Sequence, residues 1–159
     1  MIMQIIQGQM VAPKKKIGIV ASRFNEDITE TLLANALQRC EELAIKEEQL
    51  IKVRVPGAVE IPVISSLLAK REDVAAIVCL GAIIKGETAH FEYVSKVCME
   101  GCNQVMLKHD VPVIMGVITA YTRAQALART NGEVLNMGRE MINIACEMSS
   151  TCEQLRNFI

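Results

Sequence analysis

The chain of 159 residues contains no tryptophan, two tyrosines and three phenylalanines, and its 17 lysines and arginines almost cancel its 18 aspartates and glutamates. Nucleic-acid binders need stacking aromatics and a concentrated positive face, so that class is excluded as the main role. No apolar run approaches the roughly 20 residues of a membrane-spanning helix. The apolar start MIMQIIQGQM has neither a basic flank nor a small-x-small cleavage site, so no membrane or export role is expected and the cytoplasm is the expected location. There are only two histidines, His90 and His109, and the six cysteines form no CxxC pair. A metal site with recognisable spacing is therefore not expected, and the cysteines read as reduced thiols packed like small apolar residues. A small-molecule or protein partner remains.

The length suits a single domain over residues 1 to 159, able to remove roughly two thirds of its unfolded surface from water. KIGIVAS (16 to 22) is a short apolar run, followed by Ile28, Leu32, Ala36, Cys40 and Leu43 at helical spacing. LIKVRV (50 to 55) alternates apolar with charged residues, as a strand with one wetter face or an edge position does. Pro56 and Gly57 break the chain before EIPVISSLLAK, a helix whose early Pro62 fits only a first turn. VAAIVCLGA (74 to 82) is apolar throughout, which predicts a central strand covered on both faces. Phe91, Val94, Cys98, Gly101 and Val105 share a helical stripe over 88 to 108, and VPVIMGVIT (111 to 119) reads as a fourth strand. A short helix near 122 to 129 and a longer one ending near Arg156 follow. Strands alternating with helices imply parallel β-α-β units, hence a three-layer α/β/α sandwich on a four-stranded parallel sheet. Residues 1 to 13, ahead of Lys14, Lys15 and Lys16, read as a separate arm expected to add to a neighbouring subunit's sheet.

Open parallel sheets bind ligands beyond the carboxyl ends of their strands. Four segments qualify, at 22 to 25, 56 to 60, 81 to 90 and 119 to 122, and together they predict one rim. The third, GAIIKGETAH, is the most informative. Its two glycines allow close approach of backbone to ligand, and Thr88 can cap the next helix, leaving N–H groups that suit a phosphate. His90 falls in the first helical turn, where the positive end of the dipole disfavours the imidazolium and leaves a ring able to accept a proton. The plain alternative is a satisfied polar residue at a helix start. Phe24 reads as core or as a platform for a flat ring, and Arg129 as a solvated helix residue or a phosphate partner. A phosphate-accepting receiver domain would need acids after the first and third strands, where SRFN and GAII stand, and a flavodoxin would need a hydroxyl-rich loop after its first.

Taken together, SRFN, VPGAVEIP, LGAIIKGETAHFEYV, PVIMGVIT and QALAR resemble the 6,7-dimethyl-8-ribityllumazine synthase family, in order and at near-constant spacing from about residue 16 to residue 148. The resemblance implies a flavodoxin-like fold and a cofactor-free reaction of riboflavin biosynthesis. In it, 5-amino-6-(D-ribitylamino)uracil condenses with 3,4-dihydroxy-2-butanone 4-phosphate, and phosphate and two waters leave. It also implies a homo-oligomer of pentamers with each site at a subunit interface. By position, Phe24 would stack on the pyrimidine, Ala58, Val59 and Glu60 would hold the ribityl chain, and Ile83 and Ile84 would meet the ring edge. Gly86, Glu87 and Thr88 with Arg129 would bind phosphate, Met115 would approach across the interface, His90 would move protons, and Glu140 would pair with Arg129. The chain departs from the family at Val59 and Met115, where aromatics are usual, and at Glu133 and Met137, where lysines are usual. An acid in place of a cation near a solvated phosphate costs on the order of 1 kcal/mol, which implies weaker activity. A lumazine- or flavin-binding, shell-forming homologue with little catalysis is the alternative reading.

Overall fold

The computed structural model describes residues 3 to 158; the arm's first two residues and Ile159 lie outside them. Four parallel strands form one sheet: β1 (Lys16–Ser22), β2 (Leu50–Val55), β3 (Val74–Ile84) and β4 (Val113–Ala120), in the order β2-β1-β3-β4. The alternating pattern of 50 to 55 accordingly takes an edge, and the fully apolar run takes the centre. Crossovers are made by α1 (Glu26–Glu42), α2 (Ile61–Ala69) and α3 (His90–His109), and α4 (Arg123–Ala128) and α5 (Met137–Phe158) complete the chain.

Side-chain alternation along the strands divides the interior in two. Ile17, Ile19, Ala76, Val78 and Leu80 face α1 and α5. Val20, Ile77 and Cys79 face α2 and α3. The α1–α5 seam is tight, since a Cβ on Gly138 would stand 2.2 Å from the Leu32 carbonyl oxygen. On the other face a Cβ on Gly101 would stand 2.8 Å from the Pro62 ring, which places the proline of α2's first turn against mid-α3. The chain thus has the three-layer arrangement that its run order implies and the flavodoxin-like form that the resemblance implies.

One strand boundary differs from the sequence reading. The third strand continues to Ile84, two residues past the predicted 82, so Ile83 and Ile84 belong to the sheet and not to a loop. Gly81 is a packing glycine, with a Cβ position only 2.9 Å from the Ser22 hydroxyl. The N-terminal arm lies along the chain's own α5: the Gly8 and Gln9 N–H groups donate to the Thr151 and Ser150 hydroxyls at 3.1 Å each, and the Gln154 amide donates to the Gln7 carbonyl at 3.2 Å. Those backbone donors are therefore engaged within the chain.

Candidate active site

β1 turns back towards β2 while β3 leads away to β4, so the strand order reverses between β1 and β3 and leaves a crevice at their carboxyl ends. A cavity of about 320 Å³ occupies that position, within the range of small-ligand sites. Phe24 and Asn25 reach it from the end of β1, Gly57 to Glu60 from the end of β2, and Ala82 to Ile84 from β3 itself. Gly86, Thr88, His90, Phe91 and Val94 close it from the β3–α3 loop and the first turns of α3.

Each wall has its own local cause. Phe24 is 72% exposed, so most of its ring is left open to a planar ligand. After β2, the backbone drops through a 3₁₀ turn at Ala58–Glu60, and the Gly57 N–H donates to Glu60 Oε2 at 2.9 Å. That bond fixes the carboxylate at the cavity wall and leaves Oε1 as an acceptor for ligand hydroxyls. A Cβ on Gly86 would meet nothing within 4 Å, so the chain's own packing does not demand glycine there and the space beside it is free for a ligand. The Thr88 hydroxyl accepts from the His90 N–H at 3.4 Å, and Ala89, one residue beyond Thr88, is the N-cap of α3. His90 is the first residue of α3 and is exposed.

Of the residues singled out in the sequence, Phe24, Ala58, Val59, Glu60, Ile83, Ile84, Gly86, Thr88 and His90 share this cavity. Glu87, Met115 and Arg129 do not line it. Met115 pairs with Cys79, four residues before the level of Ile83 and thus about 13 Å down the strand. Its side chain is half-buried against the α2–α3 core. Arg129 follows α4, half-buried, with its guanidinium donating to the Gln125 carbonyl at 2.9 Å. No ion pair joins it to Glu140 among the described residues; the Glu140 carboxylate accepts from the Asn143 amide at 3.2 Å. Glu133 is exposed in the turn after α4. The fourth rim segment, 119 to 122, contributes no lining residue; Tyr121 instead packs 6.1 Å from Phe91, with Lys85 Nζ 5.5 Å from its ring centre.

Asn25, Gly57 and Ala82 lie within the predicted rim segments but were not singled out, and Phe91 and Val94 were not read as lining residues. Phe91 and Val94 were absorbed into the core stripe of α3, and they do flank the core as well. Asn25, between an exposed aromatic and an acid-rich helix start, carried a usable signal: asparagine is the residue most often found, after glycine, in left-handed backbone.

Five of the six cysteines, Cys40, Cys79, Cys98, Cys102 and Cys146, are buried and free. Burial, then the neighbouring Cys146, pushes the Cys40 thiol up to about 12, and burial raises Cys146 to about 11. Hydrogen bonding to Cys79 is the main cause that raises Cys102 to about 12. These thiols are core groups, none of them lines the cavity, and no cluster suited to a metal ion occurs among the described residues.

The profile of the 6,7-dimethyl-8-ribityllumazine synthase family matches residues 14 to 153. A protein named 6,7-dimethyl-8-ribityllumazine synthase from Coxiella burnetii (strain CbuG_Q212) is 45% identical over 140 residues, covering 88% of this chain and 93% of that one. The protein of the same name from Protochlamydia amoebophila (strain UWE25) is 41% identical over 153 residues, 96% of this chain and 89% of its own. Matches of this extent span every strand and every wall of the cavity, and the chain belongs to the 6,7-dimethyl-8-ribityllumazine synthase family.

Proposed function

We propose that this chain condenses 5-amino-6-(D-ribitylamino)uracil with 3,4-dihydroxy-2-butanone 4-phosphate to give 6,7-dimethyl-8-ribityllumazine, the step of riboflavin biosynthesis for which its family is named. The observation that carries the proposal is the sharing of one cavity by an open aromatic ring, a fixed carboxylate, a glycine–threonine loop and an imidazole. Phe24 stacks on the pyrimidine while Ala58, Val59 and Glu60 hold the ribityl chain, and the end of β3 at Ile83 and Ile84 meets the ring edge. Gly86 and Thr88 receive the phosphate, with Glu87 between them on the same loop though outside the lining. His90 takes and returns protons as the amine adds to the ketone and water leaves, as phosphate is eliminated, and as the second ring closes with loss of the other water. Holding two reactants in register supplies much of the remaining acceleration.

Glu60 is the only fixed charge among the lining residues, and it is negative. A phosphate dianion needs a cation, and Arg129 does not line its own chain's cavity. A homo-oligomer of pentamers, with each site at a subunit interface, meets that need by bringing Arg129 and Met115 to a neighbour's cavity. Val63, Leu67, Tyr93 and Val97 support such an assembly, as large apolar side chains left exposed on α2 and α3. The test is to mix the purified protein with both substrates and follow the lumazine chromophore against the uncatalysed condensation. Acceleration is expected; its absence would leave the binding, shell-forming reading in place.

A further inference from the structure

We propose that Asn25 is a positioning residue that sets the direction of the Phe24 ring and thereby the affinity for the pyrimidine substrate. The need for such a residue follows from unequal strand lengths. Pairing of β1 with β3 ends at Ala21 and Leu80, whereas β3 continues to Ile84. The β1-facing edge of residues 82 to 84 therefore has no strand beside it, at the point where β3 becomes the cavity floor. Asn25 fills the first vacancy: its side-chain amide donates to the Ala82 carbonyl at 2.8 Å. It does so from left-handed backbone, φ 57° and ψ 53°, which swings the chain out of β1 and lets the Asn25 carbonyl accept from the Ile28 and Thr29 N–H groups at 3.0 Å each.

On the opposite side, the Arg23 N–H donates to the Val55 carbonyl at 2.8 Å and the Phe24 N–H to the Pro56 carbonyl at 3.1 Å. The turn is thus clamped to β2 by its backbone and to β3 by one side chain, with Phe24 between the clamps. Because the ring is mostly exposed, packing does not fix where it points; the backbone beneath it must. Asparagine serves both needs, since it tolerates φ > 0 and carries an amide donor. Glycine meets only the first. Aspartate keeps the size and some left-handed tolerance but turns a carboxylate towards the Ala82 carbonyl.

The proposal rests on Phe24 stacking on the pyrimidine, so its test is a double-mutant cycle that includes Phe24→Ala. KM for each substrate, kcat, thermal midpoint and particle size are measured on wild type, Asn25→Gly, Asn25→Asp, Phe24→Ala and Phe24→Ala/Asn25→Gly. Asn25→Gly is expected to raise KM for the ribitylaminouracil about five- to tenfold, the scale of one lost part-buried hydrogen bond, with Asn25→Asp worse. KM for the butanone phosphate stays within about twofold, since an effect routed through Phe24 reaches only the ring substrate. In the Phe24→Ala background, Asn25→Gly adds nothing further. Three results would overturn the role of Asn25: equal changes for both substrates, a lowered thermal midpoint with normal kinetics, or an undiminished Asn25→Gly effect without Phe24. If Phe24→Ala itself leaves the pyrimidine KM unchanged, the stacking reading fails first and the proposal falls with it.

Discussion

His90 stands at the first position of α3, beside the Gly86–Thr88 loop and facing the same cavity as Phe24. In the proposed role of general acid–base it would act mainly in the transition state, so His90→Ala should lower kcat about ten- to a hundredfold while pyrimidine binding and assembly persist. The loss is placed at the low end of the usual range because the uncatalysed reaction already proceeds. Single-turnover rates and thermal midpoints on one preparation decide it: a normal rate with reduced stability would mark His90 as a helix-start residue only. Arg129→Ala should raise KM for the butanone phosphate far more than for the ribitylaminouracil, by about tenfold or more, because only the former carries a dianion that a guanidinium can grip. Equal losses for both would make Arg129 a structural residue that closes α4 through the Gln125 carbonyl.

Among the elements, the α1–α5 seam is held by close approach in its interior and by charge at its rim. Gly138→Ala forces a methyl against the Leu32 carbonyl and should cost about 1–3 kcal/mol, read as a lower denaturation midpoint. A midpoint equal to wild type would mean that α5 can slide outward freely. At the rim, Arg39 and Arg139 both bond to Glu42, and Arg39 also reaches the Asn143 amide oxygen at 2.7 Å. The bond from Arg139, then that from Arg39, holds the Glu42 carboxyl at about 2, below its ordinary 4.5. The sign follows directly. A carboxyl depressed in the folded state contributes stability that is complete above about pH 4.5 and is lost as pH falls towards about 2. Glu42→Gln should therefore flatten the acid limb of the midpoint-versus-pH curve over that window. Part of the slope should remain from Asp73, likewise lowered to about 2 by Arg71 and then Lys16. An unchanged slope would show that this exposed network adds nothing measurable, as many surface pairs do not.

At the scale of the whole molecule, the proposed supply of Arg129 across a subunit interface would tie activity to assembly. Light scattering at micromolar concentration should give a mass of several chains, and a monomer there would contradict the proposed assembly. Val63→Asp, on the exposed face of α2, should shift that mass downward and reduce activity together with it. Retained activity in a demonstrated monomer would mean that one chain holds a complete site.

The four strands, their parallel order and the two helical layers were legible in the sequence because burial on one or both faces imposes a period of two, 3.6 or an unbroken run on the residues themselves. The candidate site was legible only in part. Phe24, Glu60, Thr88 and His90 follow strand ends, and strand ends converge in any open parallel sheet. Local pattern carries no information about how far one strand outruns its neighbour. Only the folded sheet shows that β3 continues past β1, that Gly81 answers Ser22, and that Asn25 must cover Ala82. The arm's course along α5 depends on hydroxyls some 140 residues away, at Ser150 and Thr151, which no periodicity announces. Met115 and Arg129 belong to two of the segments that carry the family resemblance, yet a strand's rise of about 3.3 Å per residue and the turn of α4 leave both outside their own chain's cavity. Sequence determined which residue types this fold would present; distances across the sheet decided which of them a single chain could bring together.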